Sequence, residues 1–241
     1  MIFDGHSDIF SDVRYKREAG ETQVLKNHHL DRLRKGGIGG ACFVIWADTY
    51  NGHAPKDEME AIVKGIKGEM AETKEFVLIH NVEELKAAEA AGKFAILLGI
   101  EGLAGIGEDL SKIDELYDLG ARHAMLTWNE ENALATGVKG DPNRGVTELG
   151  KQAIKKLQEK EMILDVSHIN EKSFWDVIDL ATGPILASHS NAKALASAAR
   201  NLTDDQLRAI RDTNGLVGLN AFGDFISDNK AEQDVDHLVN H

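Results

Sequence analysis

The sequence contains one cysteine, so no disulfide bond can form within the chain. That residue, Cys42, lies in the apolar run Ala41-Cys42-Phe43-Val44-Ile45-Trp46, and no basic residue stands beside it. A reactive thiolate needs a positive charge or a helix N-terminus nearby to lower its pKa. A buried thiol that packs as a small apolar side chain is therefore favoured over a nucleophile.

Long apolar stretches are also missing. No segment approaches the roughly 18 apolar residues that a membrane-spanning helix needs. The sequence begins with Met1-Ile2-Phe3, without the basic and apolar regions of a secretory signal peptide. These absences predict a chain with no membrane anchor and a cytoplasmic location.

Positive charge is scarce, because 27 Lys and Arg residues stand against 40 Asp and Glu residues and give a net charge of −13. Binding to a phosphate backbone needs clustered cations, so nucleic acid is excluded as an expected partner. With 42% hydrophobic residues, the 241-residue chain is able to bury one large core. A single domain over residues 1–241 is the simplest division.

Apolar runs alternate with helical patterns along the chain. Helical spacing of apolar residues predicts helices over 59–70 and 149–157, and residues 231–241 are predicted to form the last helix. The capping-box sequence Thr203-Asp204-Asp205-Gln206 predicts the start of another helix, which Gly215 would end. The predicted strands are residues 2–3, 39–46, 94–100, 123–128, 162–166, 184–187 and 216–219. Such alternation indicates a parallel sheet and an α/β fold.

Polar side chains follow the apolar part of one predicted strand after another. They are His6, Asp8, Glu101, Asn129, His168, His189 and Asn220. In a TIM (β/α)8-type barrel these strand ends share one rim, whereas an open sheet would hold them too far apart. The predicted fold class is therefore an α/β barrel of TIM type. Only seven strands are found, so the eighth β/α unit is expected to be missing.

Glu101 follows the continuous apolar run of residues 94–100 and stands between Gly99-Ile100 and Gly102. Glycines at such a point let other groups approach the backbone closely. Taken alone, a glutamate there either turns into solvent or is held by positive charge in a cleft. The polar residues predicted around it favour the cleft.

His6, Asp8, Glu101, His168 and His189 supply imidazole and carboxylate groups, which are ligand types of zinc. His6 and Asp8 lie two positions apart, so their side chains point to the same side of a strand. Each histidine taken alone fits a structural role as well. Together they predict two zinc ions, one on His6 and Asp8 and one on His168 and His189, with Glu101 bridging. Two ions roughly 3.5–4 Å apart can hold a shared water as hydroxide at neutral pH.

Seven motifs carry a resemblance to a known family. In chain order they are Asp4-Gly5-His6-Ser7-Asp8, Gly36-Gly37-Ile38-Gly39-Gly40, Ile100-Glu101-Gly102, Gly145-Val146-Thr147-Glu148-Leu149-Gly150, Asp165-Val166-Ser167-His168, Ser188-His189-Ser190 and Arg200-Asn201-Leu202. The chain resembles the membrane dipeptidase (renal dipeptidase) family of binuclear zinc peptidases, which are TIM-barrel metal-dependent hydrolases. The resemblance implies the zinc ligands already predicted from spacing.

The resemblance also implies that Arg200 binds the terminal carboxylate of the substrate. A guanidinium group suits this role because it forms paired, charge-assisted hydrogen bonds with a carboxylate. Without the motif, Arg200 would be interpreted as a surface residue before a helix. Asn201 beside it and Trp128 on the predicted rim are assigned to the substrate site, although a core position suits Trp128 equally.

The sequence departs from the family at two points. Mammalian members have a histidine after the Leu-Thr of the fourth strand, placed to polarise the scissile carbonyl. Here Trp128 and Asn129 follow Leu126-Thr127, so Asn129 is the predicted catalytic donor, with Asn132 as an alternative. The Asp-Phe-Asp-Gly-type motif of the family's eighth strand is also absent, since Gly223-Asp224-Phe225 follows the seventh strand.

The predicted function is a zinc-dependent dipeptidase, in which Glu101 bridges two zinc ions and a metal-bridging hydroxide attacks the peptide bond. Two alternatives stay open: a hydrolase of another small amide, such as a lactam or an N-acyl amino acid, and a catalytically silent metal-binding fragment. A dipeptide is the expected substrate, and a homo-oligomer is compatible with the sequence.

Overall fold

Parallel strands alternate with helices in the computed structural model, which describes residues 1–47 and 52–241. The chain forms two compact units, Met1–Ala124 and Met125–His241. Each unit has parallel strands and flanking helices of its own. The single barrel domain over residues 1–241 stays a prediction.

The first unit is built around two long central strands. Its elements are β1 (Ile2–Ser7), α1 (Ile9–Glu18), a π-helix (Leu25–Leu30), α2 (Asp31–Lys35), β2 (Ile38–Trp46), α3 (Pro55–Glu72), β3 (Phe76–Leu78), α4 (Val82–Ala90), β4 (Phe94–Glu101), a 3-10 turn (Ala104–Ile106), α5 (Lys112–Leu119) and β5 (Ala121–Met125). The strand order is β1-β2-β4-β5, and β3 pairs with β4 beside this path. Every one of these pairings is parallel.

The core of the first unit lies where β2 and β4 pair. Their register runs without interruption from Gly40 opposite Ala95 to Trp46 opposite Glu101. Nearly all side chains between these ends are buried, because both strands are continuous apolar runs covered on two faces. Glu101 therefore emerges at the carboxyl end of the best-buried strand.

The second unit repeats the alternation with shorter strands. Its elements are α6 (Glu148–Glu159), β6 (Ile163–Asp165), α7 (Glu171–Leu180), β7 (Ile185–Ala187), α8 (Asp204–Asp212), β8 (Leu216–Val217), α9 (Gly223–Ile226), a 3-10 turn (Lys230–Glu232) and α10 (Val235–Leu238). The order is β6-β7-β8, again parallel. Side-chain caps fix the helix starts: Thr147 accepts from the backbone N–H of Gly150, and Thr203 forms the predicted capping box with Gln206.

The structure contains all seven predicted strands and an eighth, β3. It also contains the helices predicted over 59–70, 149–157 and after Thr203. Two expectations differ from the structure. β3 is not among the predicted strands, because its three residues are too few to show a pattern. The continuous helix predicted over residues 231–241 is wrong, because Asp234 caps a separate helix, α10, by accepting from the backbone N–H of His237.

No helix in the described ranges, 1–47 and 52–241, has the length and apolar character needed to cross a membrane.

Candidate metal centre

The first half of the predicted metal centre lies at the ends of β1 and β4. The pairing of β1 with β2 shifts register between Asp4 and Ser7, so His6 stands at an irregularity of its strand. Asp8 follows the strand and directly precedes α1. His6 Nε2 lies 3.5 Å from Asp8 Oδ1 and 3.4 Å from Glu101 Oε2. These three predicted ligands are therefore brought together.

Two carboxylates around one imidazole make this half-site a site for positive charge. Burial of His6 favours its neutral form, but the hydrogen bonds and charges of Asp8 and Glu101 outweigh burial and raise the pKa of His6 to about 10. Glu101 itself is only 4% exposed. A buried carboxylate needs a compensating cation, and a divalent metal ion is one that this ligand set would accept.

Glycines on both sides of Ile100-Glu101 shape the approach to the carboxylate. Gly102 has a φ of +83°, which lets the chain turn sharply out of β4 directly after Glu101. A Cβ atom on Gly99 would lie 2.6 Å from His123 Nδ1 and 2.8 Å from Cys42 Sγ. The predicted close approach at these glycines is therefore present, and Cys42 is buried as expected.

The second half of the predicted centre is a pair of facing histidines. His168 follows β6 and His189 follows β7. Their Nε2 atoms lie 2.7 Å apart, so one of them carries a hydrogen and donates a hydrogen bond to the other. On the far side of the rings, His168 Nδ1 lies 2.9 Å from Asn129 Oδ1, and His189 Nδ1 lies 2.8 Å from Ser188 Oγ. Both rings are thus held from behind while their Nε2 atoms converge.

His168 has a backbone conformation that few residues adopt. Its φ is +72°, in the left-handed region where residues other than glycine are uncommon. The loop that leads from β5 to α6 holds this backbone, because Val138 N–H donates to His168 C=O at 2.8 Å and Gly137 pairs with Ile169. The surrounding structure therefore imposes the conformation at this position.

Arg200 lies against both histidines rather than on the surface. It is 7% exposed. Its Nε lies 3.0 Å from His168 Nδ1, and its terminal nitrogens donate to the carbonyl oxygen of His189 at 3.2 Å and to Ser190 Oγ at 3.4 Å. A guanidinium group is therefore fixed beside the second half-site.

The remaining predicted site residues lie in the same unit. The Trp128 and His168 rings are 6.0 Å apart, and Asn129 holds His168 from behind. Asn132 is engaged in its own loop, since it donates to Leu126 C=O and accepts from the Leu134 and Ala135 N–H groups. Asn201 donates to Ala196 C=O at 3.0 Å and to Phe225 C=O at 2.9 Å, so its amide holds the turn beside Arg200.

Two residues that contact the histidines or their turns are not among the site residues predicted from the sequence. Ser188 contacts the ring of His189, and Asp165 accepts hydrogen bonds at the start of both histidine-bearing turns. Ser188 directly precedes His189 in the sequence, and Asp165 stands three residues before His168. That proximity was the available signal, but it does not show which groups the side chains reach.

A profile of the membrane dipeptidase family (peptidase family M19) matches residues 1–241. The chain belongs to this family. The predicted resemblance is thereby confirmed, and so is the predicted enzyme class, a hydrolase that acts on peptide bonds.

Individual relatives agree with this assignment. An uncharacterised protein from Acinetobacter calcoaceticus is 30% identical over 274 aligned positions, covering 100% of this chain and 87% of that protein. An uncharacterised dipeptidase from Schizosaccharomyces pombe is 29% identical over 250 positions, covering 93% of this chain. The chain spans 60% of the length of the yeast protein, less than two thirds.

A solved structure confirms the fold class. It is a metallopeptidase from Rhodobacter sphaeroides, crystallised with a phosphinate mimic of the dipeptide L-Ala-D-Ala. The TM-score is 0.86 at 25% identity, over 99% of this chain and 82% of that one. The chain therefore has the predicted α/β fold, an incomplete barrel of TIM type.

Proposed function

We propose that this member of the dipeptidase family hydrolyses the peptide bond of dipeptides with two zinc ions. His6 and Asp8 would bind the first ion, His168 and His189 the second, and Glu101 would bridge them. When bound, zinc supplies a Lewis acid for the scissile carbonyl and lowers the pKa of a water that serves as the nucleophile.

The observation that carries the proposal is the arrangement of His168 and His189. A histidine that binds a metal through one ring nitrogen almost always gives its other N–H to an oxygen. Asn129 and Ser188 provide such oxygens, at 2.9 and 2.8 Å, while the two Nε2 atoms converge to 2.7 Å. Two imidazoles held in this way present both Nε2 atoms to the same point, where one ion would replace the hydrogen bond between them and move the nitrogens slightly apart.

The position of Arg200 supports dipeptides as the substrate class. If His168 binds metal through Nε2, its Nδ1 carries the ring hydrogen and donates a hydrogen bond to Asn129 Oδ1. The guanidinium group of Arg200, whose Nε lies 3.0 Å from the same nitrogen, stands beside the second half-site, where it can pair with the terminal carboxylate of a substrate. Asn129 would orient His168 by this hydrogen bond, and its amide N–H group is the proposed donor to the scissile carbonyl.

The outer parts of the site complete the proposal. Trp128 would form a wall of the substrate pocket beside His168, and Asn201 would keep Arg200 in place by holding their common turn. A cytoplasmic location and self-association stay predictions from the sequence.

The test is hydrolysis of a substrate panel before and after the metal is removed with a chelator. The panel contains L-Ala-D-Ala and other dipeptides, a tripeptide, a lactam and N-acyl amino acids. Dipeptide hydrolysis that is lost on chelation and restored by zinc is the expected result. Faster turnover of the lactam or N-acyl amino acids would favour another amide as the substrate, and zinc binding without turnover would indicate a silent fragment.

A pair of histidine variants controls this experiment. His168→Asn keeps a residue that tolerates the left-handed backbone but removes the ligand. His237→Asn changes a histidine of α10 whose Nδ1 pairs with Asp234 at 2.7 Å, away from the proposed ligands in sequence. Only the His168 variant should lose zinc-dependent activity.

A further inference from the structure

The carboxylate of Asp165 connects the two turns that carry His168 and His189. Asp165 ends β6 and is 1% exposed. Its Oδ1 accepts a hydrogen bond from the backbone N–H of Ser167 at 2.7 Å. The backbone N–H of Ser188 lies 3.3 Å from Oδ1 and 3.2 Å from Oδ2. One buried group therefore holds the residue directly before each histidine.

The serine side chains extend this connection. The backbone N–H of His189 donates to Ser167 Oγ at 3.4 Å, and Ser190 Oγ donates to the same oxygen at 3.5 Å. Ser188 Oγ lies 2.8 Å from His189 Nδ1. The backbone and the ring of His189 are thus both held by groups whose positions depend on Asp165.

We propose that Asp165 is a positioning residue of the metal centre. Through the N–H groups of Ser167 and Ser188, and through the Ser167 hydroxyl that is thereby held against His189 N–H, it would fix the distance between His168 and His189 and the direction in which their Nε2 atoms point. The inference rests on the proposed function, because it takes these histidines as zinc ligands. Water does not compete for these hydrogen bonds, because Asp165 is 1% exposed, so they hold both turns firmly.

Glu69 provides a comparison for a carboxylate that only supports the fold. It is 0% exposed, and its Oε1 accepts from Leu25 N–H and from Thr73 Oγ, both at 2.8 Å. Its Oε2 pairs with Arg17 at 3.0 Å. Glu69 is as deeply buried as Asp165 and binds backbone in the same way, but none of its partners adjoins a proposed ligand. Glu69→Gln is therefore the matched control for Asp165→Asn.

The experiment compares zinc affinity and stability in the full chain. Zinc is titrated against a competing fluorescent chelator in the unaltered protein and both variants, and thermal unfolding is measured without metal. Asp165→Asn should weaken zinc binding by about 10- to 100-fold, the range found for residues that orient metal ligands. Glu69→Gln should lower the unfolding temperature and leave zinc affinity unchanged. Unchanged zinc affinity in Asp165→Asn, with only a lower unfolding temperature, would overturn the proposal.

Ser167→Ala keeps the proposal testable if Asp165→Asn does not fold without metal. It removes the hydroxyl that accepts from His189 N–H and keeps the backbone N–H that Asp165 holds. A several-fold loss of zinc affinity supports the proposal, and an unchanged affinity contradicts it. A chain that binds zinc but hydrolyses no dipeptide would contradict the proposed function, while these affinities still decide the role of Asp165. An unaltered chain that binds no zinc would overturn both.

Discussion

Glu101 lies buried at the carboxyl end of β4, 3.4 Å from His6. If it bridges two ions, Glu101→Ala should lower the occupancy of both, because each ion loses a ligand. His189→Ala should mainly empty one. Metal analysis by mass spectrometry would measure zinc per chain in both variants.

Glu58→Gln is the control for the Glu101 variant, since Glu58 is also buried in the first unit but pairs with Arg14 at 3.1 Å. It should keep the zinc content of the unaltered chain. Two zinc ions retained in Glu101→Ala would show that this carboxylate does not bridge.

Arg200 is expected to recognise the end of the substrate. Arg200→Ala should raise KM for dipeptides, because about 1.5–3 kcal/mol of charged hydrogen bonding to the substrate is lost. The zinc content should stay unchanged, because Arg200 is not a proposed ligand. A dipeptide with an amidated C-terminus should be almost insensitive to the change. Arg208 is an exposed arginine that pairs with Asp205, and Arg208→Ala is the control, which should change neither KM nor zinc content. Equal losses on both substrates would assign Arg200 another role.

At the scale of elements, the loop between β5 and α6 has a steric limit at Gly137. A Cβ atom there would lie 2.3 Å from Trp128 C=O and 2.5 Å from the carbonyl carbon of Asn129. Gly137→Ala should therefore displace Trp128 and Asn129, and it should destabilise the chain by about 1–3 kcal/mol, as overpacking does. Urea unfolding and dipeptide turnover would measure the two effects.

Gly183→Ala is the matched control, because nothing lies within 4 Å of a Cβ atom at Gly183. It should change neither stability nor turnover by a comparable amount. If Gly137→Ala left turnover unaffected, the loop would not position the site.

The long elements could be predicted from the sequence because burial leaves a clear pattern in them. The apolar runs that form β2 and β4 and the apolar face of α3 show this. The short elements could not be predicted in this way. The three residues of β3 are too few to show a periodicity, and a single cap at Asp234 decides where α10 begins.

The candidate site shows the same division. The carboxyl ends of parallel strands lie at one edge of a sheet, so His6 and Glu101 could be placed together from the sequence. The contacts on the far side of the histidine rings could not be predicted. Asn129, for example, lies 39 residues from His168 and reaches it through a loop without a regular pattern.

At the scale of the whole molecule, the proposed ligands come from positions 6, 8, 101, 168 and 189, spread over most of the chain. An unfolded chain cannot hold them together, so zinc should bind the folded state almost exclusively. Zinc in 100-fold excess over its Kd would then add about 2.7 kcal/mol to the free energy of unfolding. Calorimetry with zinc and with a chelator should show an unfolding temperature that rises with zinc concentration. An unfolding temperature independent of zinc would argue against a metal centre that joins these segments.

The left-handed backbone of His168 also limits how this position can change in evolution. The φ of this residue is +72°, and the residues found most often in this region are glycine and, to a lesser degree, asparagine, aspartate and histidine. Among these, only aspartate and histidine are common zinc ligands. Relatives that keep this turn should therefore exchange the proposed ligand most readily for aspartate, whereas His189 is not among the described residues with positive φ and has no such restriction.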